Sequence, residues 1–193
     1  MIERNQASPQ VNNLIVERWS PRSFDGSAIP QQDLDVIFEA AGWSPSAFNI
    51  QPWTFLYAHR GDENWDRFLS LLIEFNQSWA KDASVLTFVV SNKMQGRGDE
   101  KSPNHSHSFD TGAAWILASL QATAMGYHSH AMSGLQFDKA CEELKIPADH
   151  RLEAAFVIGR KAAKDQLPEA LQEKEAASGR KSVAEIAIAG NFQ

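Results

Sequence analysis

The chain has 193 residues, 43 % apolar and 22 % charged, with a formal net charge of −6 from 18 basic and 24 acidic side chains. That length suits a single domain, expected over 1–193, and the acidic balance argues against nucleic acid or an anionic membrane as partner. The one cysteine, Cys141, excludes an internal disulfide, and the opening MIERNQASPQ has no apolar signal core, so a reducing cytoplasm is the expected compartment.

Ser8 and Pro9 read as the cap and first residue of a helix that carries Val11, Leu14 and Ile15 at helical spacing. Pro21 disfavours helix at Ser20, and Asp25-Gly26 reads as a turn. A second helix opens at Pro30, runs through Leu34, Ile37, Phe38 and Ala41, and stops at Gly42. Next comes GWSPSAFNIQPW, a loop rich in neutral hydrogen-bonding groups and aromatics, and then a short strand over 54–58. The run 40–58 is uncharged, but Pro45, Asn49, Gln51 and Pro52 bar it from spanning a membrane. Residues 64–75 read as one helix with Phe68, Leu71, Leu72 and Phe75 on one face, and 84–91 as a strand buried on both sides. The polar stretch 92–107, with Gly96, Gly98 and Pro103, reads as a mobile loop. A nearly uncharged helix over 110–125 is expected to be central and buried. A short extended piece at 128–132, a helix at 138–144 and a strand at 152–158 follow. The charged stretch 160–181 carries a helix around 169–176, and the tail 183–188 is apolar again. Helices alternating with a few separated strands suggest an α+β sandwich around a small sheet.

Two stretches carry candidate chemistry. Arg18, Ser20 and Arg22 alternate, so an extended backbone would aim two guanidiniums and a hydroxyl to one side, a set that matches a phosphate. A solvated loop with surface arginines has the same spacing. Ser46, Asn49 and Gln51 donate and accept without charge, as the edge of a flavin ring does, with Trp43, Phe48 and Trp53 as possible walls. A packed helix-to-strand connection has the same composition.

Together RWSPRSFDG, the helix starting at Ile29-Pro30, SPSAFNIQPW and AMSGLQFD resemble the nitroreductase family of FMN-dependent oxidoreductases. The pattern Ser-Pro-Ser-x-x-Asn-x-Gln-Pro-Trp is matched at every fixed position from Ser44 to Trp53, and Arg180-Lys181 with Glu185 fits a late Arg-Lys-x-x-x-Glu. The resemblance implies an α/β/α sandwich with a small, mainly antiparallel central sheet, completed across a homodimer, with the tail from about 181 to 193 packing on the partner. It implies bound FMN, with Arg18, Ser20 and Arg180 at the phosphate and Trp19 beside them. Arg22 falls near the ribityl chain and the N1–C2=O edge. Pro45, Ser46, Ala47, Asn49 and Gln51 fall where the partner subunit meets the ring, and Asn76 at a ring edge. Ala131, Met132, Ser133 and Gly134 fall where backbone faces N5. Some members carry an acidic residue at the place of Ser133, and others a second late cation at the place of Ser178.

The implied activity is transfer of hydride from NAD(P)H to flavin N5, followed by reduction of a nitroaromatic, quinone or similar electrophile. The flavin carries the chemistry, so no catalytic side chain is assigned. A flavin store or sensor without turnover would use the same binding motifs. The pairs His105/His107 and His128/His130 could in principle ligate a metal, but no Cys cluster or HExxH pattern supports one, and none is assigned. His128 or His130 lining the pocket is the milder reading. Cys141 lies beside Glu142 and Glu143, which disfavour a thiolate, and Gly96-Arg97-Gly98 reads as loop flexibility rather than a dinucleotide-binding turn.

Overall fold

A computed structural model describes residues 7–96 and 100–192. The central sheet has four strands: β1 (Trp53–His59), β2 (Val85–Asn92), β5 (His128–Met132) and β6 (His150–Gly159). Their order is β1-β2-β6-β5 and every pairing is antiparallel. Two further two-residue strands, β3 (Met94–Gln95) and β4 (Ser102–Pro103), pair with each other. The α+β sandwich with a small antiparallel sheet is therefore the fold the sequence suggested.

Strand β2 shows why the sandwich closes. Val85 and Val89 enter one apolar cluster with Leu34, Ile37 and Ala41 of α2 (Gln31–Gly42) and Ala114, Ala118 and Ala122 of α5 (His107–Ala124). Leu86, Phe88 and Val90 enter the other, with Trp65 and Phe68 of α3 (Trp65–Ser70), Trp79 and Ala80 of α4 (Glu74–Ala80) and Ala140 of α6 (Phe137–Glu143). A period of two on a strand covered on both faces produces this division.

Several expectations need correction. The first helix, α1 (Asn13–Glu17), is shorter and is capped by Asn12, whose Oδ1 accepts the Leu14 N–H at 2.9 Å; Ser8 and Pro9 lie in the turn before it. The single helix over 64–75 is two helices. Leu71 O accepts Gln136 N–H at 2.9 Å, the Ile73 N–H donates to Gly134 O at 3.1 Å, and Leu72 bridges Leu135. Backbone groups used in this way are lost to a continuous helix. The stretch 92–107 carries the β3–β4 pair, and Asn104 N–H donates to Lys93 O at 2.7 Å, so its described part is tied down; residues 97–99, including Arg97 and Gly98, lie outside the described residues. The central helix α5 is buried on one face only, and Phe109 is 80 % exposed. The late helix α7 (Glu169–Gln172) covers four residues, and the tail carries α8 (Val183–Ile186) with Val183 and Ile186 exposed. Among the described residues, no helix is long and apolar enough to cross a membrane.

Candidate functional site

At its C-terminal end, α1 gives way to extended backbone at Arg18 (φ −62°, ψ 119°). From there the chain runs beside the segment that follows β6: Asp25 N–H donates to Arg160 O, Ala162 N–H to Ser23 O, and Ser23 Oγ to Ala163 O at 2.6 Å. The Glu175 carboxylate accepts the backbone N–H of Arg22 at 2.8 Å and of Ser23 at 3.0 Å. This extended arm is thus fixed from the C-terminal side of the chain, and its alternating side chains share an opening.

That opening is a cleft of about 350 Å³ lined by Arg18, Trp19, Ser20, Arg22, His130, Lys174, Ala176, Ser178 and Arg180, a size within the ~300–1,000 Å³ of small-molecule sites. Arg18 donates weakly to Ser20 Oγ at 3.5 Å. Partial burial pulls the Arg18 guanidinium below its usual pKa, and the positive charge of Arg180 adds to the shift. Arg180 itself donates to Ser178 O and Gly179 O at 3.0 and 2.9 Å. Among the described residues that line the cleft none is a carboxylate, so Arg18, Arg22, Lys174 and Arg180 give it a cationic character. The Trp19 ring lies under Lys161 Nζ at 5.6 Å. His130 stacks on Trp79 at 4.6 Å between ring centroids, and its Nδ1 lies 2.8 Å from Pro21 O.

The structure brings Arg18, Trp19, Ser20, Arg22 and Arg180 together. Sequence reasoning missed Lys174, which lines the same cleft. It stands in a turn after α7, where Lys174 N–H bonds Leu171 O, and no motif spacing marks it. Ser178 is in the lining too, and Lys174 adds a cation to it.

Ala131 and Met132 end β5, two residues beyond His130, with Ser133 and Gly134 next. The Met132 side chain is in the core and Ser133 is exposed, so only backbone can serve a ligand at Met132. Asn76 is buried and donates from Nδ2 to Gly134 O at 3.0 Å, so it braces this segment. A Cβ on Gly134 would lie 2.5 Å from Asn76 Nδ2 and 2.7 Å from Ile73 Cδ1, so a larger residue there would displace these side-chain ends.

Asn76 and Ala131 to Gly134 do not line this cleft, and neither do Pro45, Ser46, Ala47, Asn49 and Gln51. Their loop is nevertheless built. Ala47 N–H donates to Asp110 Oδ2 at 3.1 Å, and Gln51 N–H to Ser46 Oγ at 3.0 Å. Phe48, Asn49 and Gln51 adopt left-handed backbone (φ 50°, 56° and 53°), at a cost of about 1–3 kcal/mol each for such residues. Phe48 is 93 % exposed and Trp43 79 %. Of the histidine pairs, His128 is half-buried with Nδ1 sealed and unpartnered, and His107 Nδ1 meets Ser91 Oγ at 2.8 Å, beside Glu153. Among the described residues, no group of three or more His, Cys, Asp or Glu gathers as a metal site.

Fold and cleft define an α+β sandwich with a cleft lined by four cationic side chains. The model of the nitroreductase family matches residues 15–77 and 63–160, and the chain belongs to that family. A crystal structure described as an oxidoreductase containing FMN is similar at a TM-score of 0.94 and 46 % identity, covering 98 % of this chain and 96 % of that one. A putative nitroreductase in complex with FMN from Desulfovibrio desulfuricans shares the fold at a TM-score of 0.74 and 23 % identity, covering 97 % and 100 %. Protein DrgA from Synechocystis sp. is 26 % identical over 174 residues, covering 76 % of this chain and 82 % of DrgA.

Proposed function

We propose that this chain is an FMN-dependent oxidoreductase that takes reducing equivalents from NAD(P)H and passes them to a nitroaromatic, quinone or similar electrophile in two half-reactions. The observation that carries this reading is the convergence of Arg18, Ser20, Arg22, Lys174 and Arg180 in one cleft of an otherwise acidic chain. The similar structure described as containing FMN supports FMN as the phosphate-bearing ligand. FMN supplies the two-electron chemistry when bound.

The chain's own residues bind, orient and polarise. Arg18 and Arg180 neutralise the terminal phosphate, which removes their mutual repulsion, while Ser20 and Lys174 add donors. Arg22 sits two residues along the same side of the arm, with its backbone held by Glu175. It keeps a cation near the ribityl chain and the ring edge, where reduction places negative charge. Backbone of the segment 131–134, braced by Asn76, lines the reacting side of the ring. Transfer from a stacked nicotinamide needs position and field, with no side-chain acid or base.

The neutral loop with Pro45, Ser46, Ala47, Asn49 and Gln51 completes the site of a partner copy in a homodimer. Its exposed Phe48 and Trp43 support this arrangement. The described part of the tail, from about 181 to 192, packs across the same partner. The deciding experiment releases the chromophore from denatured protein, then titrates the native holoprotein anaerobically with NAD(P)H. FMN together with bleaching of the yellow absorbance is expected. FAD, or no flavin after reconstitution, would sink the assignment; FMN that NAD(P)H leaves oxidised would make the chain a flavin store or sensor.

A further inference from the structure

We infer that His130 is a hydroxyl-reading residue of the cleft, whose Nε2 accepts a hydrogen bond from the ribityl chain of the bound flavin. The inference rests on the FMN reading above and adds a residue and a contact to it. Pro21 O can only accept, so the 2.8 Å contact places a proton on Nδ1. In the neutral ring this leaves Nε2 as an acceptor. Nε2 makes no hydrogen bond among the described residues and is not among the sealed, unpartnered atoms, so it is open to the cleft that His130 lines. The ring is held in place by Trp79, packed against it at 4.6 Å with the planes 33° apart, and by Pro21 at its other nitrogen.

The charges around the ring agree with a neutral acceptor. Burial pushes the His130 pKa below its usual value; the bond to Pro21 opposes this, Arg22 and Arg18 push it further down, and Glu175 pushes it up. The net direction is down, so the ring is neutral at neutral pH. The cationic side chains of the lining, Arg18, Arg22, Lys174 and Arg180, can only donate. They suit phosphate oxygens and the N1–C2=O edge, which only accept. The ribityl hydroxyls are the flavin's donors between those two ends. The Ser20 and Ser178 hydroxyls of the lining can also accept, but Ser20 already takes the Arg18 N–H, and His130 offers its acceptor on a rigid ring.

The test compares wild type and His130→Phe with two ligands: FMN, and a flavin phosphate whose side chain is an unhydroxylated pentyl. Losing one neutral hydrogen bond should weaken FMN roughly two- to tenfold, and the pentyl analogue should bind both proteins equally. An equal penalty for both ligands would mean that His130 only props up Pro21, and no penalty with FMN would mean that it reads nothing; either overturns the inference. Nitrogen NMR of the imidazole in wild type gives a second readout independent of variant folding. The Nδ1–H tautomer is expected in the free protein, with an Nε2 resonance that moves on adding FMN and moves less on adding the pentyl analogue. An Nε2–H tautomer in the complex, or an unmoved resonance, also overturns it. A wild type that binds no FMN would instead remove the flavin reading itself.

Discussion

Arg18 feels the charge of a second cation, Arg180, and both line the cleft. A charged hydrogen bond contributes about 1.5–3 kcal/mol and a neutral one about 0.5–1.5 kcal/mol. Arg18→Ala should therefore weaken FMN more than Ser20→Ala does, measured by flavin fluorescence on the apoprotein. Equal affinities for wild type and Arg18→Ala would take Arg18 out of the phosphate site. The motif Arg-x-Ser-x-Arg was legible because an extended arm preserves its alternation. Lys174 was not, because a turn after a four-residue helix delivers it and sequence spacing does not encode that path. His128 gives a separate expectation. Burial, and then Lys161, depress its pKa from 6.5, and Nδ1 is sealed without a partner. The folded state resists the proton that the unfolded state takes, so the stability from this neutral ring is intact above about 6.5 and is lost as pH falls through the depressed folded value. Thermal melts between about pH 8 and 5 should show a falling Tm for wild type and a flatter profile for His128→Gln. Parallel profiles would mean that His128 does not contribute to the acid limb.

Elements whose partners are mostly sequence-local were legible, and those set by tertiary demand were not. The helix over α2 was read from Pro30, its apolar spacing and Gly42, and it runs Gln31–Gly42. The break between α3 and α4 left no trace in Phe68, Leu71, Leu72 and Phe75, which keep helical spacing across it. Its cause lies some 60 residues away, where the segment after β5 takes the backbone of Leu71 and Ile73. The same break sets α4 so that Asn76 reaches Gly134, so the misread boundary shapes the segment after β5. The tie between the arm and the C-terminal segment was equally invisible, since Glu175 lies 153 residues from Arg22. It can be tested by two substitutions. Glu175→Ala leaves the N–H groups of Arg22 and Ser23 unpaired and should cost about 1–3 kcal/mol in a chemical melt. Removing the negative charge alone favours a bound anion, so Glu175→Gln, which keeps an acceptor, should bind FMN at least as well as wild type. Glu175→Ala should bind it more weakly than Glu175→Gln. Equal affinities for the two variants would show that the arm keeps its shape without this clamp.

At the scale of the molecule, the surfaces left open in one chain are the ones a second copy would cover. Helix α5 carries almost no charge, yet it buries Ala114, Ala118 and Ala122 on one side and leaves Phe109 80 % exposed. The loop that matches the motif Ser-Pro-Ser-x-x-Asn-x-Gln-Pro-Trp starts close by, tied to α5 through Asp110, and does not line the cleft of its own chain. Val183, Ile186 and Phe192 are exposed along the tail. On the proposed two-fold, these features form one obligate interface of roughly 2,000–5,000 Å² or more, with each site drawing its arm from one subunit and its neutral loop from the other. Two consequences can be measured by sedimentation at low micromolar protein. Flavin that bridges two subunits binds the dimer and not the monomer, so removing FMN should loosen the dimer by mass action. Phe109→Glu changes a side chain that is mostly exposed in the single chain, so the fold should survive by circular dichroism. On the two-fold it would bury uncompensated charge, and a monomer with sharply weakened FMN should result. A Phe109→Glu protein that stays dimeric with tight FMN would move the interface off α5. A wild-type monomer that keeps tight FMN would withdraw Pro45 to Gln51 from the site, because the chain that holds the phosphate does not bring that loop to it.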